Sequence, residues 1–466
     1  MVSFELIDII ILITFFASVT GIGLYAAQRT RESADDYLLS GRNVGLFLFV
    51  LTNVSTWYGG ILGVGEFTYK YGILSWFTQG LPYYIFAILF ALLFAEKIRA
   101  ASLFTIPDKI KKEYGEKAGL LSAVVVFILV SPAPYILMTA NLISLVFNIN
   151  IIWSLLISLL LSLIYLLKGG YRSDLYTDAL QFFVMFAGFI IIMISAYNYA
   201  GGITFLKEEL PPSHLSLTGE ASPFFIIVWF LIALWTFADP GFHQRCYAAK
   251  KGAIAKRGIL ISVVFWMIFD FLTTGTGLYA KAVLPGNINP VLSFPLLAEK
   301  ILSPGLKGVF YAGLFATIMS TLNSFLFLSA TTLGRDFFYS LSENKKESDL
   351  KKYTIYGLLI AGLLAVIVAW AIPSVIEIWY TIGSMFIPGI ILPVAGAYYN
   401  KLKISSRLTI IEICLSVFAS FLWFILRDVS GLFTSESEPM IAGLITAVLV
   451  HIYGLIKKAD KKTYQL

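Results

Sequence analysis

The sequence predicts an all-α, polytopic membrane protein with about thirteen transmembrane helices, two of them broken. Of its 466 residues, 58% are hydrophobic and only 13% are charged, whereas soluble domains carry about 25% charged residues. Apolar stretches long enough to cross a hydrocarbon core of about 30 Å recur along the chain. The basic residues fall between these stretches in an alternating pattern that is typical of cytoplasmic loops. These three observations set the fold class.

The first predicted span is an N-terminal helix over about residues 5–27. It carries Glu5 and Asp8 and no early Lys or Arg. It therefore lacks the basic region of a cleaved signal peptide, and we expect it to be retained. The other predicted spans are apolar stretches at about 44–69, 73–96, 118–147, 151–167, 175–199, 222–243, 258–280, 308–334, 353–371, 374–399, 407–426 and 439–456.

The distribution of Lys and Arg tests this count and gives an orientation. With the N-terminus outside, 28 of the 34 basic residues lie in inner loops, Arg245 among them, and six lie on the outer side. Cytoplasmic loops are enriched in Lys and Arg, and a wrong number of spans would scramble this asymmetry. The sequence therefore predicts an external N-terminus and a cytoplasmic C-terminus. The same topology explains the net charge of +6 without a nucleic-acid partner.

Motifs of hydrolases and of ATP-driven pumps are missing from the sequence. It contains no Walker A lysine motif, no HExxH and no GxSxG. Cys246 and Cys414 lie far apart, and the three histidines have no metal-ligand spacing. We therefore expect neither an enzyme nor an ATP-driven pump.

Two of the predicted spans are interrupted by polar, Gly and Pro residues. The second contains residues 53–60, NVSTWYGG, and the seventh contains residues 235–241, WTFADPG. Such interruptions at membrane depth are tolerated where the freed backbone is buried or lines a cavity. Because the breaks lie five spans apart, their helices run in opposite directions, which indicates an inverted repeat with a binding site between its halves. Two independently kinked helices are the alternative.

A stripe of hydroxyl side chains lies in the ninth predicted span. Thr317, Ser320, Thr321 and Ser324 have the i, i+3, i+4, i+7 spacing that puts them on one face of a helix. Such hydroxyls, beside unwound backbone carbonyls, can hold a hard monovalent cation stripped of water. Small hydroxyl residues also pack helices together or bond to carbonyls of their own helix. From this hydroxyl stripe alone, an ion site and helix packing both stay open.

Four stretches resemble motifs of the sodium:solute symporter family, whose members carry proline, pantothenate, sugars, sialic acid and iodide. They are residues 34–42 (ADDYLLSGR), residues 169–171 with 176–181 (GGY and YTDALQ), Asp239 with residues 244–250 (QRCYAAK), and residues 302–308 with 319–324 (LSPGLKG and MSTLNS). Each is short, but all four occur in the order found in the family on a chain of thirteen predicted spans.

This resemblance implies a LeuT-type fold in a single transmembrane transporter domain of the cell membrane. A leading helix at 5–27 would precede two inverted five-helix repeats at about 44–199 and 222–399, and trailing helices would occupy 407–456. The resemblance implies secondary active transport, in which Na⁺ drives symport of a small organic solute of the amino acid, carboxylate or sugar class by alternating access. Proton-coupled symport is one alternative, and a channel or a transporter-like sensor without coupled flux is another.

The resemblance also implies which residues bind Na⁺. In the family, the ion takes backbone oxygens from the broken helix of the first repeat, and a carbonyl and two hydroxyls from a late helix. The matching positions here are Asn53, Thr56, Thr317, Ser320 and Thr321. A second Na⁺ site or an exit path is implied at Asp178, Asn323 and Ser324, with capping of its helix as the alternative role for Asp178. Ser55 stands where proline carriers have an acidic residue.

The substrate pocket is predicted between the two breaks. Aromatic walls with few polar groups suit a small, partly apolar solute, although aromatic residues in membrane helices more often serve packing or anchoring. No buried Arg or Lys stands out as a partner for a solute carboxylate, but an unwound helix N-terminus can take that role. Besides the solute and the lipid bilayer, no obligate protein partner is inferred. The candidate pocket residues are Trp57, Tyr58, Gly59, Gly60, Trp76, Gln79, Tyr135 and Trp235.

Overall fold

The structure is a computed structural model that describes residues 2–31, 33–342, 346–430 and 438–463. Within these residues the chain is helical, apart from loops and an isolated β-bridge between Val44 and Ala249. The α-helices of the first part are α1 (Leu6–Gln28), α2 (Ala34–Leu39), α3 (Leu46–Ser55), α4 (Ile61–Tyr71), α5 (Leu74–Gln79), α6 (Leu81–Leu93), α7 (Ala95–Ala101), α8 (Ile106–Tyr114), α9 (Glu116–Leu129), α10 (Ala133–Phe147), α11 (Ile151–Ala200) and α12 (Ile203–Glu209).

The second part of the chain continues this pattern of long helices joined by short turns. A π-helix, Thr332–Tyr339, prolongs α17 without a break. The helices are α13 (Pro223–Ile232), α14 (Pro240–Ala248), α15 (Gly252–Val283), α16 (Ser293–Ile301), α17 (Leu306–Thr331), α18 (Glu347–Ala371), α19 (Val375–Phe386), α20 (Ile391–Tyr398), α21 (Ser406–Ser430) and α22 (Pro439–Thr463).

The thirteen predicted spans can all be traced in the described residues. Eleven stretches are long and apolar enough to cross a membrane. One of them, α11, has 50 residues and is interrupted at Gly170, where φ is 54° and ψ is −141°, so it supplies two spans. The broken pair α3 and α4 supplies the remaining span. Gly170 is required at its kink because a Cβ atom there would lie 2.4 Å from the carbonyl oxygen of Tyr37.

The two predicted interruptions are present. Five residues, 56–60, separate α3 from α4. Between α13 and α14 the chain makes a 3-10 turn, Ala233–Phe237, and α14 then begins at Pro240, a residue that suits the first position of a helix. The carboxylate of Asp239 caps α14, since its Oδ1 accepts a hydrogen bond from the Phe242 amide at 3.0 Å.

The ninth span, α17 with its π-helical end, is the central helix of the protein. In its apolar window 94% of the residues are buried, against 28% in those of α1 and α21. It packs most extensively against α11 and also against α1 and α18. A helix surrounded by protein can carry polar side chains that lipid would exclude. The hydroxyl stripe therefore lies in the interior of the protein.

Ion pairs close the end of the protein at which α2, α8 and the π-helix meet. Arg42 pairs with Asp35 at 3.0 Å, and Arg335 pairs with Asp108. The Arg335 side chain is 17% exposed and that of Asp108 14%. The second pair links α8 to the end of the central helix, and Arg42 also donates a hydrogen bond to the carbonyl of Leu103, just before α8. In the predicted orientation this closed end faces the cytoplasm.

Candidate functional site

The break after α3 leaves backbone carbonyls available in the middle of the protein. The last carbonyls of any helix have no partner within that helix. Here the Trp57 amide bonds to the carbonyl of Val54 at 3.2 Å, which ends the regular α-helical ladder. Gly59 lets the central helix approach, because a Cβ atom on Gly59 would lie only 2.4 Å from the Cβ of Thr321. The unwound segment and the hydroxyl stripe are thus in direct contact.

Two hydroxyls of the stripe bond to these carbonyls. The Ser320 hydroxyl donates to the carbonyl of Ser55 at 2.7 Å and lies 3.1 Å from the carbonyl of Thr317. The Thr321 hydroxyl donates to the carbonyl of Thr56 at 3.0 Å. All five residues are buried. We call these three carbonyls and two hydroxyls the oxygen cluster.

The oxygen cluster has the composition of a site for Na⁺. Its oxygens are neutral, and hard cations prefer oxygen ligands. A hydroxyl that donates a hydrogen bond still has lone pairs to offer a cation. Among the described residues no group of three or more His, Cys, Asp or Glu side chains could hold a metal ion. The donor set therefore fits a monovalent cation.

Four of the five predicted Na⁺ ligands, Thr56, Thr317, Ser320 and Thr321, meet in this cluster. Asn53 lies two residues before Ser55, and it is the Ser55 carbonyl that bonds to Ser320. The sequence pattern did not single out Ser55, because the carbonyl that faces the stripe depends on where α3 unwinds. Asn53 is 3% exposed, and its Nδ2 has no hydrogen-bond partner in the described part of the chain.

Two carboxylates lie beside the oxygen cluster on successive turns of α11. Asp178 accepts a hydrogen bond from the Thr52 hydroxyl, and Asp174 accepts one from the Ser324 hydroxyl at 2.7 Å. Both carboxylates are fully buried. Asp178 lies eight residues after Gly170, inside a continuous helix, so it does not cap that helix. Asp174 was not predicted, although its i, i+4 spacing from Asp178 puts the two on one face.

The prediction that Arg245 lies in a loop is wrong. Arg245 belongs to α14 and is 5% exposed. Its Nη2 donates to the hydroxyl of Thr56 at 2.5 Å and to that of Ser324 at 3.3 Å. The guanidinium thus joins the broken helix to the central one. Asn323, the third residue predicted for a second ion site, instead donates to the hydroxyl of Tyr165.

A cavity of about 740 Å³ lies between the two breaks. Gly59, predicted as a pocket residue, is not part of the cavity lining and packs against Thr321 instead. Thr56 and Thr321 line the cavity and also belong to the oxygen cluster. A solute in the cavity and an ion in the cluster would therefore share a wall. The other seven predicted pocket residues all line the cavity: Trp57, Tyr58, Gly60, Trp76, Gln79, Tyr135 and Trp235.

The cavity reaches the surface where α4 ends and α13 begins. Lys70, Tyr71 and Phe224 line this mouth, and Tyr71 is 43% exposed. The Lys70 ammonium pairs with the Glu66 carboxylate at 2.5 Å. The exposed residues of the cavity lining all lie at this mouth, so the described residues show the cavity open on this side. A carrier that works by alternating access needs a state of this kind.

The cavity wall also contains carboxylates that were not predicted as site residues. Asp270 projects from α15 and accepts a hydrogen bond from the Tyr84 hydroxyl. Asp239, the cap of α14, is a second one. An acid in the middle of an apolar span is the sequence signal that would have indicated Asp270.

A sequence model of the sodium:solute symporter family matches residues 37–402. This match covers most of the chain, and the chain therefore belongs to the sodium:solute symporter family. Membership confirms the predicted class of function, Na⁺-coupled symport, and Na⁺ as the coupling ion.

Individual relatives carry different solutes. The chain is 26% identical to a sodium/pantothenate symporter of Escherichia coli K12, over 79% of this chain and 80% of the relative. It is 25% identical to the osmoregulated proline transporter OpuE of Bacillus subtilis 168, over 97% and 95% of the two chains. These relatives are transporters of the membrane, as this chain was predicted to be.

Among solved structures, a Na⁺-coupled sialic acid symporter in a substrate-bound, outward-open state superposes on this chain with a TM-score of 0.84. The two share 17% sequence identity over 97% of this chain and 98% of the other. At this identity the likeness shows the fold. It confirms the predicted LeuT-type fold class.

Proposed function

We propose that this protein moves a small organic solute across the cell membrane, driven by Na⁺ held at the oxygen cluster. The Na⁺ ligands would be the carbonyls of Asn53, Ser55 and Thr56 on the broken helix, together with the Thr317 carbonyl and the hydroxyls of Ser320 and Thr321. The solute would bind in the adjoining cavity. The N-terminus would lie outside and the C-terminus in the cytoplasm, so the cavity would open outward.

One observation carries this proposal: hydroxyls of the central helix meet carbonyls of a broken helix in the wall of the solute cavity. Each Na⁺ that enters down a tenfold gradient and about 100 mV supplies about 3.7 kcal/mol, enough for about 500-fold solute accumulation at one-to-one coupling. Because the ion must leave in every cycle, neutral oxygens suit the site better than a cage of carboxylates. The geometry thus supports a site that binds Na⁺ reversibly.

The second predicted site is proposed to serve as an exit path. Asp178, Asn323 and Ser324 bond to three different partners, and the Arg245 guanidinium reaches Ser324. A bound cation would have to compete with that guanidinium. Asp178 lies beside the oxygen cluster and contacts Thr52 of the broken helix. Its carboxylate can instead receive Na⁺ as the ion leaves the cluster.

Proton coupling is the second candidate, and a specific observation favours it. Asp174 and Asp178 are two buried carboxylates one helical turn apart, and carboxylates inside a membrane protein can form a proton relay. A proton could therefore accompany Na⁺.

The test combines binding and uptake. Thermal unfolding of the purified protein would be measured with pantothenate, proline and sialic acid in Na⁺ and in K⁺, since a ligand stabilises the state that it binds. Uptake into proteoliposomes would then be driven by an inward Na⁺ gradient or by an inward proton gradient in K⁺. Uptake with Na⁺ alone supports the proposal. Uptake with the proton gradient alone would replace Na⁺ coupling by proton coupling, and binding without uptake would indicate a sensor.

A further inference from the structure

The solute cavity is rich in carboxylates. Lys70, its one lysine among the described residues, is held by Glu66 at 2.5 Å. In the described part of the chain, no Lys or Arg nitrogen lies within 4.0 Å of the Asp270 carboxylate. The charged residues of the wall are Glu66, Lys70, Asp239, Asp270 and Glu438.

Asp270 lies in the middle of a membrane span. It follows Gly252, the first residue of α15, by 18 positions and precedes Val283, the last, by 13. A carboxylate at this depth is costly, and such residues are retained where they act on an ion or a ligand. The Tyr84 hydroxyl donates a hydrogen bond to Asp270 Oδ2, and this neutral donor supplies no opposite charge.

The surroundings of Asp270 are suited to a cation. A Cβ atom on Gly80 would lie 3.0 Å from Asp270 Oδ2 and 3.0 Å from Trp76 Cδ1, so the carboxylate and the indole meet at this glycine. Trp57 and Tyr83 also line the cavity. The faces of Trp and Tyr rings attract ammonium groups.

Two groups that could receive an anion are occupied elsewhere. The N-terminus of α14 is capped by Asp239, whose carboxylate accepts a hydrogen bond from the Phe242 amide. The guanidinium of Arg245 is bonded to Thr56 and Ser324, and Arg245 is not among the residues that line the cavity. A solute that carries only a carboxylate would therefore meet like charges in the cavity wall.

We propose that Asp270 binds an ammonium group of the transported solute, with the ring of Trp76 beside it. The solute is then an amine or an amino acid, and a simple carboxylate or a sugar is excluded. This inference rests on the proposed function, because it takes the cavity to be the transport site.

The probes are matched compounds on two hydrocarbon skeletons. Isoamylamine, leucine, isoamyl alcohol and isocaproate share one skeleton, and phenethylamine, phenylalanine, phenethyl alcohol and hydrocinnamate share the other. Thermal unfolding of the full-length protein in Na⁺ would be followed across a concentration series of each. On at least one skeleton, a compound with an ammonium group should stabilise the protein, and the alcohol and the carboxylate should not.

Substitutions then assign this preference to Asp270. Asp270→Asn keeps the size and hydrogen-bonding capacity but removes the charge, so ammonium binding should weaken about tenfold or more. Asp270→Glu should restore it in part. Tyr84→Phe is the matched control, because it removes the hydrogen bond to Asp270 and leaves the carboxylate, and its preference for ammonium should persist.

The proposal is overturned if no ammonium compound on either skeleton stabilises the protein. It is also overturned if a carboxylate stabilises it as well as the amine does, or if Asp270→Asn binds the amine as tightly as wild type. Stabilisation by Na⁺ without solute, measured on every variant, reports separately on the ion site and on folding. Na⁺ stabilisation without ammonium binding would refute this inference alone, whereas ammonium binding without any Na⁺ effect would refute the proposed coupling.

Discussion

Removing a hydroxyl from the oxygen cluster should lower the affinity of the transporter for Na⁺. The two hydroxyls bond to carbonyls of the broken helix at 2.7 Å for Ser320 and 3.0 Å for Thr321, so an ion between them would contact both. A hydrogen-bonding group is worth about 1.5–3 kcal/mol to a charged partner, and about 1.4 kcal/mol corresponds to a factor of ten. Ser320→Ala and Thr321→Val should each raise the half-maximal Na⁺ concentration by about tenfold to about a hundredfold.

The choice of variants keeps packing constant. Thr321→Val retains the branched Cβ that packs against Gly59 and loses only the hydroxyl, and Thr321→Ser retains the hydroxyl and should keep most of the Na⁺ affinity. Ser329→Ala is the matched control on the same helix. Its hydroxyl is fully buried and donates to the carbonyl of Val130 at 2.7 Å. The control should therefore lose a similar stability of about 1 kcal/mol without losing Na⁺ affinity.

Uptake into proteoliposomes would be measured across a Na⁺ series, with K⁺ keeping the ionic strength constant. The maximal rate should change less than the half-maximal Na⁺ concentration, because the substitutions remove ligands of the ion and leave the solute cavity intact. Thermal stabilisation by Na⁺ without solute gives the same affinity independently of transport. If Ser320→Ala and Thr321→Val keep the Na⁺ dependence of wild type, the hydroxyl stripe serves helix packing and the proposed ion site is wrong.

Three further predictions address the break, the exit path and the orientation. Gly59→Ala should destabilise the protein and weaken Na⁺ binding, because its new Cβ would overlap a threonine of α17, whereas Gly45→Ala, with nothing within 4 Å, should do neither. Asp178→Asn should slow transport or weaken its Na⁺ dependence in a folded protein; unchanged kinetics would reduce Asp178 to a structural partner of α3. A reporter fused after Lys346 should be cytoplasmic and one near Ser213 external, and the reverse result would overturn the predicted topology.

The spans were predictable because they follow from a strong constraint. Lipid excludes unpaired backbone groups and most charges, so long apolar stretches and the basic residues between them fix the number of helices. The predicted span at 308–334 lies within Leu306–Tyr339, and the one at 374–399 matches α19 and α20. The two breaks were predictable for the same reason, since polar and Gly/Pro residues are rarely found at that depth.

The individual contacts of the site were harder to predict. Arg245 was counted with a loop because a basic residue near the end of a span is usually cytoplasmic, yet α14 carries it into the interior. Asp270 lies inside a predicted apolar span, whereas Asp174 falls between the predicted spans 151–167 and 175–199, where α11 in fact continues. Which oxygen each contacts depends on helix rotation and on the unwinding of α3, and hydropathy contains neither quantity. Seven of the eight predicted pocket residues line the cavity, and most of these lie in the breaks that the sequence shows directly.

The geometry also suggests how ion and solute binding are coupled. The Thr56 carbonyl accepts a hydrogen bond from Thr321, and the Thr56 hydroxyl accepts one from Arg245. Arg245 also reaches Ser324, whose own hydroxyl bonds to Asp174. Thr56 and Thr321 form part of the cavity wall as well. An ion that displaces the bond between Thr321 and Thr56 must therefore shift the unwound segment that the solute contacts. Coupling between the two sites then needs no long pathway, because the ion and the solute both act on the conformation of the same broken helix.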